Sequence, residues 1–343
     1  MSDVTTHLDS PKRHRSALVT GATGFVGNHL AERLLLAGWS VRLLVRDSNK
    51  LTPTLRAGCE LITGDLIHID AVSRAVRGVD VIFHCAANVS TWDTHDAYYA
   101  ANVVGVQNLL HAIASENKTL PPTFRLVHVS TMDVYGFPEL PCTELSATTG
   151  GGFGYGVSKL QGENVVRELA DKSGISYAII RPGNVIGPGS QFITRIGAEL
   201  KFGIMLTVDG GREHAGLVYI DNLVDCLIWA ADAPAADRAC FNVRDDYDVD
   251  WATFISTFRR GIKGKGLVLN MSFAVADKLA GALEALHKTL LPRFEPMLHR
   301  LIVRFFGRTC GHSADKIHAY CKTRISFEVA MQESISWFLK QGK

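Results

Sequence analysis

The sequence contains no C-x-x-C pair, no H-E-x-x-H segment and no apolar run near the roughly 18 residues that a membrane-spanning helix needs. Its seven cysteines lie scattered at 59, 85, 142, 226, 240, 310 and 321, an odd number without pairing or ligand spacing. That excludes a disulfide framework and a zinc site of the usual spacing, and it suits a reducing, cytoplasmic compartment. The thirteen histidines show no ligand spacing either, so no metal is expected. A formal net charge of +2, with aromatic residues not interleaved among basic ones, gives no reason to expect nucleic acid. Internal repeats and low-complexity tracts are missing. The polar start, residues 1–15 with the basic run Lys12-Arg13-His14-Arg15, lacks an apolar stretch and reads as a flexible tail, not a secretory signal.

The 343 residues, 47% hydrophobic and 20% charged, suffice for a full buried core. Short apolar runs alternate with helical patterns through the first half. Strands are expected at Ala17–Thr20, Val41–Val45, Leu61–Ile62, Val79–His84, Arg125–Ser130 and Tyr177–Arg181. Helices are expected at Asn28–Ala37, Tyr98–Ala114 and Tyr155–Lys172. Uniformly apolar strands separated by helices imply a parallel sheet covered on both faces, a doubly wound α/β fold of Rossmann type. After about residue 183 the rhythm breaks. Residues 16–183 are therefore read as a dinucleotide-binding domain. Residues 184–343 are read as a smaller, mainly helical substrate subdomain, some of whose segments return to the first core.

Residues 17–27, A-L-V-T-G-A-T-G-F-V-G, run a strand into Gly21, Gly24 and Gly27 and then at once into a helix. Such a loop lets backbone approach a pyrophosphate and aims a helix N-terminus at it. Thr23, Phe25 and Val26 lie in the same turn. At the end of the second strand, Arg46 stands where an acidic residue would select NAD, with Lys50 close behind. A guanidinium there matches a 2′-phosphate, so NADP(H) is favoured, while Asp47 keeps NAD(H) open. Asp65-Leu66 and Ala86-Ala87 end the next strands, where an acid can meet the adenine and small residues admit the cofactor.

Tyr155 and Lys159 sit four residues apart, on one helix face. An ammonium one turn away is expected to favour the phenolate and bring the tyrosine down from its usual value near pH 10. The lysine can also hold the nicotinamide ribose. Ser130-Thr131, at the end of the preceding strand, supplies a hydroxyl to orient a substrate oxygen.

The chain resembles the extended short-chain dehydrogenase/reductase superfamily, also called the NAD-dependent epimerase/dehydratase family, and within it the 3β-hydroxysteroid dehydrogenase/sterol dehydrogenase-like branch. The resemblance is carried by T-G-A-T-G-F-V-G (20–27), D-L (65–66), N-V-V-G-V-Q-N-L-L (102–110), V-S-T-M-D-V-Y-G (129–136), Y-G-V-S-K (155–159), R-P-G-N-V-I-G-P-G (181–189), V-Y-I-D-N-L-V-D (218–225) and the closing segment 325–338. It implies Tyr155 as catalytic acid/base, Lys159 as its partner, Thr131 as hydroxyl donor, Pro182 and Gly183 near the nicotinamide, and Asn102 as a brace on the cofactor side. It also implies a homodimer through the Tyr98–Ala114 and Tyr155–Lys172 helices.

Two departures bear on the substrate. Sugar dehydratases look like S-T-D-E-V-Y-G where this chain has Met132-Asp133, and a thioether cannot donate a proton. Nucleotide-sugar members place a diphosphate-clamping arginine where Ala215 stands here, with Arg212 three residues earlier. Met132, Asp133, Asn184 and Tyr219 are the positions expected to meet substrate.

Two amphipathic stretches follow, Val275-Leu279-Leu283-Leu286-Leu290 and Leu298-Leu301-Ile302-Phe305. They can complete the core, roof an apolar pocket, or make peripheral membrane contact through 275–306, where Arg293, Arg300, Arg304 and Arg308 supply charge. The glycine-rich run 150–154 can serve as a loop that closes over substrate or as a surface linker. The reading is an NAD(P)-dependent oxidoreductase acting on a carbonyl or secondary alcohol of a bulky, largely apolar small molecule: sterol-like, long-chain β-keto acid or flavonoid-like. A nucleotide-sugar epimerase is the enzymatic alternative, and an NAD(P)-sensing regulator the non-enzymatic one.

Overall fold

A computed structural model describes residues 15–116, 119–290, 295–296 and 298–341. Six strands come from the first half: β1 (Ser16–Thr20), β2 (Ser40–Val45), β3 (Glu60–Thr63), β4 (Val81–His84), β5 (Arg125–Val129) and β6 (Tyr177–Pro182). Five come later: β7 (Asn184–Ile186), β8 (Ile204–Val208), β9 (Leu217–Tyr219), β10 (Ala239–Val243) and β11 (Leu267–Met271). Seven of them form one parallel sheet in the order β10-β6-β5-β4-β1-β2-β3. The strand order reverses beside β1, so β1 and β4 end next to each other at the crevice where doubly wound sheets take ligands.

The sheet is buried on both faces because its strands carry apolar residues on both. Ala17 and Val19 of β1 join one core with helices Phe25–Leu36 and Ile220–Asp232. Leu18, between them in sequence, faces the other core with helices Ile69–Val76, Gly105–Glu116 and Gly154–Ser173. The expected helix over Tyr98–Ala114 contains a π-helical turn at Ala100–Val104, between His95–Tyr99 and Gly105–Glu116. A π turn shifts the register of the face that follows and is frequent at functional sites.

Beyond β6 the chain leaves the sheet and returns. β7 pairs with β9 and β8 with β11 in two small parallel sheets, while β10 adds the seventh strand beside β6. Residues 1–14 of the expected tail lie outside the described residues. Arg15 does not behave as tail: its guanidinium pairs with Asp232 and covers the Trp39 ring at 4.3 Å. Among the described residues, no helix is long and apolar enough to cross a membrane.

Candidate active site

The loop after β1 is built by contacts that two of its glycines alone permit. Gly21 has a φ of +76°, and a Cβ there would lie 2.6 Å from the Ala86 backbone nitrogen. A Cβ on Gly27 would lie 2.4 Å from the Gly21 carbonyl oxygen. Gly24 differs: its φ is −95°, and a Cβ would meet nothing of the chain closer than 3.3 Å. The fold therefore demands Gly21 and Gly27, while the open space at Gly24 faces outward. Helix Phe25–Leu36 begins there with no side-chain cap and no acidic residue in its first turn, which leaves its N–H groups to an anion. Thr23 is exposed beside it, and Phe25 and Val26 are half-buried. Ala86 donates its N–H to Thr20 Oγ1 at 3.3 Å, which ties the end of β4 to β1, and Ala87 follows half-buried. These residues fit a dinucleotide.

At the end of β2 the Arg46 side chain is 81% exposed, its Nη1 3.8 Å from Asp65 Oδ2. Asp47 is turned into its own loop, where its carboxylate accepts from the Asn49 N–H at 2.9 Å and caps the turn that contains exposed Lys50. The acid that kept NAD(H) open is thus engaged locally, and the guanidinium is the group presented outward. Asp65 also accepts from the Ile67 N–H at 3.2 Å, and the Leu66 carbonyl accepts from Asn108 at 2.9 Å. The π turn aims Asn102 inward. Its amide receives the Asn88 N–H (2.7 Å) and donates to the Asn88 carbonyl (3.0 Å) and to Ser158 Oγ (2.9 Å). Asn102 thereby braces the loop after β4 against the helix that carries the tyrosine.

Tyr155 and Lys159 lie in the first turns of helix Gly154–Ser173, and Thr131 follows β5. Thr131 Oγ1 accepts the Asp133 N–H at 3.2 Å. Lys159 is buried, and its ammonium donates to the Val129 carbonyl at 2.7 Å. One expectation is corrected here. Burial, followed by the neighbouring Asp133 carboxylate, pushes the phenol above its ordinary value, and the nearby Thr131 hydroxyl opposes this only in part. Lys159 does not offset it, because its ammonium is directed at the β5 backbone. Burial in turn lowers Lys159 to about 8, against the pull of Glu163. Behind this group, His84 and His128 stack with ring centroids 5.2 Å apart. Burial, then Lys159, takes His84 down to about 3, so both rings stay neutral near neutrality.

A small pocket that begins one residue after Thr131 is lined by Met132, Asp133, Gly136, Phe137, Gly183, Asn184 and residues 309, 310 and 312 of the C-terminal part. It brings together the expected Met132, Asp133, Gly183 and Asn184. Pro182 ends β6, buried, just before them. Tyr219 is not brought there. It is 2% exposed, its N–H is held by Asp245 at 2.6 Å, and its phenol donates to Glu333 in the last helix. It begins helix Ile220–Asp232 and belongs to the core.

Sequence reasoning missed Thr309, Cys310, His312 and Glu163. The first three arrive from a segment without a motif, placed by backbone bonds such as Cys310 N–H to the His214 carbonyl at 3.0 Å. Glu163 had a signal, its position four residues after Lys159. Ala215 is fully buried with its N–H on Val249, which leaves no guanidinium at the diphosphate-clamp position, and Arg212 is exposed in the turn after β8. The glycine run is a packed turn in its first two members. A Cβ on Gly150 or Gly151 would strike the backbone of Val157 or Gly136 at 2.7 and 2.9 Å.

The two amphipathic stretches form helices Phe273–Leu290 and Arg300–Gly307. The second completes the core, with Phe305 and Phe306 against Trp251 at 5.1 and 4.7 Å. The first buries Ala276 and Ala280 and turns Val275, Leu279, Leu286 and Leu290 to the surface. Arg300 and Arg304 pair with Asp277, Arg308 pairs with Glu139, and Arg293 lies outside the described residues.

Sheet order and glycine cradle place the molecule among the dinucleotide-dependent α/β enzymes. Comparison with known proteins narrows the class. The model of the NAD dependent epimerase/dehydratase family matches residues 17–243, and the chain belongs to that family. It is 29% identical over 304 residues to a 4-hydroxy-2-methyl-3-oxo-4-farnesyl-3,4-dihydroquinoline-1-oxide ketoreductase of Stigmatella aurantiaca, covering 87% of this chain and 88% of the relative. It is 30% identical over 261 residues to a UDP-glucose 4-epimerase of Vibrio cholerae, covering 71% and 75%. Among solved structures, MoeE5 in complex with UDP-glucose and NAD shares the fold, with a TM-score of 0.73 at 21% identity over 96% of this chain and all of that one.

Proposed function

We propose that the protein is an NADP(H)-preferring oxidoreductase acting on a carbonyl or secondary alcohol of a bulky, largely apolar substrate. When bound, the nicotinamide supplies or accepts the hydride. Tyr155 passes the proton between its hydroxyl and the substrate oxygen, Thr131 aims that oxygen, and Lys159 holds the ribose and the positive charge. Gly21, Thr23, Gly24, Phe25, Val26 and Gly27 cradle the pyrophosphate, Arg46 and Lys50 face the 2′-phosphate, and Asp65 meets the adenine. The observation that carries the reading is Tyr155 one turn from buried Lys159 on one helix, with Thr131 at the end of β5 directly before Met132, which lines a pocket whose lining residues include no lysine or arginine. In this reading 16–183 serve the cofactor and 184–343 mainly the substrate.

The test is Tyr155→Phe, assayed with apolar ketones and NADPH or NADH. Turnover is expected to fall by about 10²-fold or more with cofactor affinity nearly intact, and full activity in that variant refutes the mechanism. Thr131→Ser should retain most activity and Thr131→Ala little. The epimerase alternative draws on the Vibrio relative and is opposed by Ala215. Stabilisation of the chain by UDP-sugars in a thermal shift, with none by apolar ketones, would favour it. The outward leucines of helix Phe273–Leu290 support peripheral contact of this region with a lipid surface, tested by cosedimentation with vesicles. The family resemblance supports a homodimer, tested by sedimentation equilibrium.

A further inference from the structure

Two cysteines far apart in sequence share one cavity. Cys226 is buried on helix Ile220–Asp232. Half-buried Cys321 follows helix Asp315–His318, its N–H held by the Ile317 carbonyl at 2.8 Å. Both line a small cavity with Val243, Asp245 and Ile317. Contacts on either side set the two positions opposite one another. Tyr320, just before Cys321, stacks on Trp229, one turn after Cys226, with ring centroids 4.8 Å apart. On the other side Arg324 pairs with Asp225 at 2.7 Å, and Asn222 Oδ1 accepts the N–H groups of Arg324 and Ile325 at 3.2 and 3.1 Å. The segment therefore runs antiparallel to the helix, and residues 226 and 321 lie between its fastenings. The same segment walls the Met132–Asp133 pocket with residues 309, 310 and 312. Arg244 ties the two regions together: its Nε donates to the His312 carbonyl at 2.7 Å, and its own carbonyl accepts from His318 Nε2 at 2.8 Å.

We propose that Cys226 and Cys321 form a reversible dithiol–disulfide site whose oxidant is a small soluble disulfide of the glutathione type, and that the closed bond staples the strap 309–325 to helix Ile220–Asp232. Cys321 is the attacking sulfur. It is the less buried of the two, and the Cys226 thiol beside it draws it below its ordinary value. Burial holds Cys59, Cys85, Cys240 and Cys310 above theirs, which keeps them protonated and slow. Cys321 releases its proton and attacks one sulfur of the small disulfide. That S–S bond breaks, and the other half leaves as a thiolate and takes up a proton. The Cys226 thiol then gives up its proton and attacks the Cys321 sulfur, the mixed bond breaks, and the second small thiol leaves. Two protein thiols are oxidised by two electrons, and one small disulfide is reduced to two thiols. The bond encloses a long stretch of chain, so it restricts the unfolded state strongly, and it leaves the 309–312 wall less free to open locally.

The experiment incubates the full chain with oxidised glutathione and, in parallel, with dithiothreitol. Intact mass should fall by two hydrogen atoms, and peptide mapping should find residue 226 joined to 321 while the other cysteines remain free. Melting should rise by about 5 °C or more and return to its starting point with dithiothreitol. Amide hydrogen exchange at residues 310–313 should slow by about threefold or more in the oxidised form. Cys226→Ser should stop at one glutathione carried on Cys321, and Cys226→Ala repeats the test should a hydroxyl disturb that buried position. Cys321→Ser should take up glutathione at least about tenfold more slowly than the parent. An unchanged mass, or modification of other cysteines while 226 and 321 stay free, overturns the site. A joined pair that melts and exchanges like the reduced protein overturns the staple. None of these readouts uses turnover, so their outcome is independent of the oxidoreductase reading.

Discussion

Replacing Glu163 by glutamine tests the foundation of the site. Glu163 is fully buried, one turn after Lys159 on the same helix. Arg181 of β6 grips both its oxygens, Nε to Oε1 at 2.8 Å and Nη2 to Oε2 at 2.6 Å, and Arg167 reaches Oε2 at 3.0 Å. Arg181 is itself buried and donates to the Tyr135 hydroxyl at 2.8 Å. Glutamine keeps the shape but leaves the guanidinium without its counter-charge. Removing one partner of such a pair costs about 3–5 kcal/mol. At about 2 °C per kcal/mol for a chain of this size, melting should fall by about 6–10 °C. Burial works to raise the Glu163 carboxyl, and the Arg181 bonds and charge overcome this, so its folded value lies below the ordinary one. The stability it contributes is therefore complete above the unfolded carboxylate value and lost as pH falls through the folded one, and the variant should lack that loss. A second effect reaches the chemistry. Glu163 supports the charge on Lys159, so without it Lys159 should drop below about 8 and the alkaline limb of kcat should move to lower pH. Thermal melts at neutral pH and a pH–rate profile measure both. A variant that melts within about 2 °C of the parent, with an unmoved alkaline limb, refutes the assignment.

Three further outcomes follow from the geometry. Gly27→Ala should destabilise the fold, because its Cβ would lie 2.4 Å from a backbone oxygen, whereas Gly24→Ala should melt like the parent and bind cofactor at least about tenfold more weakly; equal melting of the two variants contradicts the cradle, and calorimetry with titrated cofactor decides. Arg46→Ala should weaken NADPH binding by about 10- to 100-fold, the worth of a charge-assisted bond, and leave NADH unchanged; a parallel loss for both cofactors would show that Arg46 acts on the loop and not on the 2′-phosphate. Stability should decline as pH falls below the ordinary histidine value of 6.5, because His84 titrates in the folded chain only at about 3 and the unfolded chain takes up the proton first. The slope is about 1.4 kcal/mol per pH unit for each buried ring, and a melting temperature flat from about pH 7 to 5 speaks against it.

Much of the fold was legible because the sheet is buried on both faces. Strand segments such as Val81–Phe83 are apolar at every position, and the helices between them carry their own period. The cofactor loop was legible for a different reason: close backbone approach admits only glycine, so the chemistry is written locally. β10 was not found, because Ala239–Val243 is a five-residue run whose partner, β6, lies some sixty positions earlier. The outward stripe on helix Phe273–Leu290 shows a limit of periodicity. The leucines marked the face expected to pack, yet small residues, Ala276 and Ala280, let this helix approach the core, and the larger ones remain outside. Tyr219 looked like a site residue from its motif and is a core residue that opens a helix. Asp133 and Thr131 were visible in one short string, but the pocket opposite them is closed by residues 309–312, which carry no local pattern.

The late strand β10 has a bearing on how the molecule comes into being. Its whole length pairs with β6, so during synthesis the first six strands emerge with β6 as an open edge, its carbonyl and amide row offered to any passing chain. That edge is closed only when residue 243 has left the ribosome, and part of the support for β5 comes later than β6 as well: Arg125 donates to the carbonyls of Ala230 and Ala233. A gene cut after β6 would keep every residue of the glycine cradle together with Tyr155 and Lys159, and would still yield a protein with a sticky flank. The binding half of the molecule is in this sense on loan from the half that follows it, and the two are inherited together or not at all.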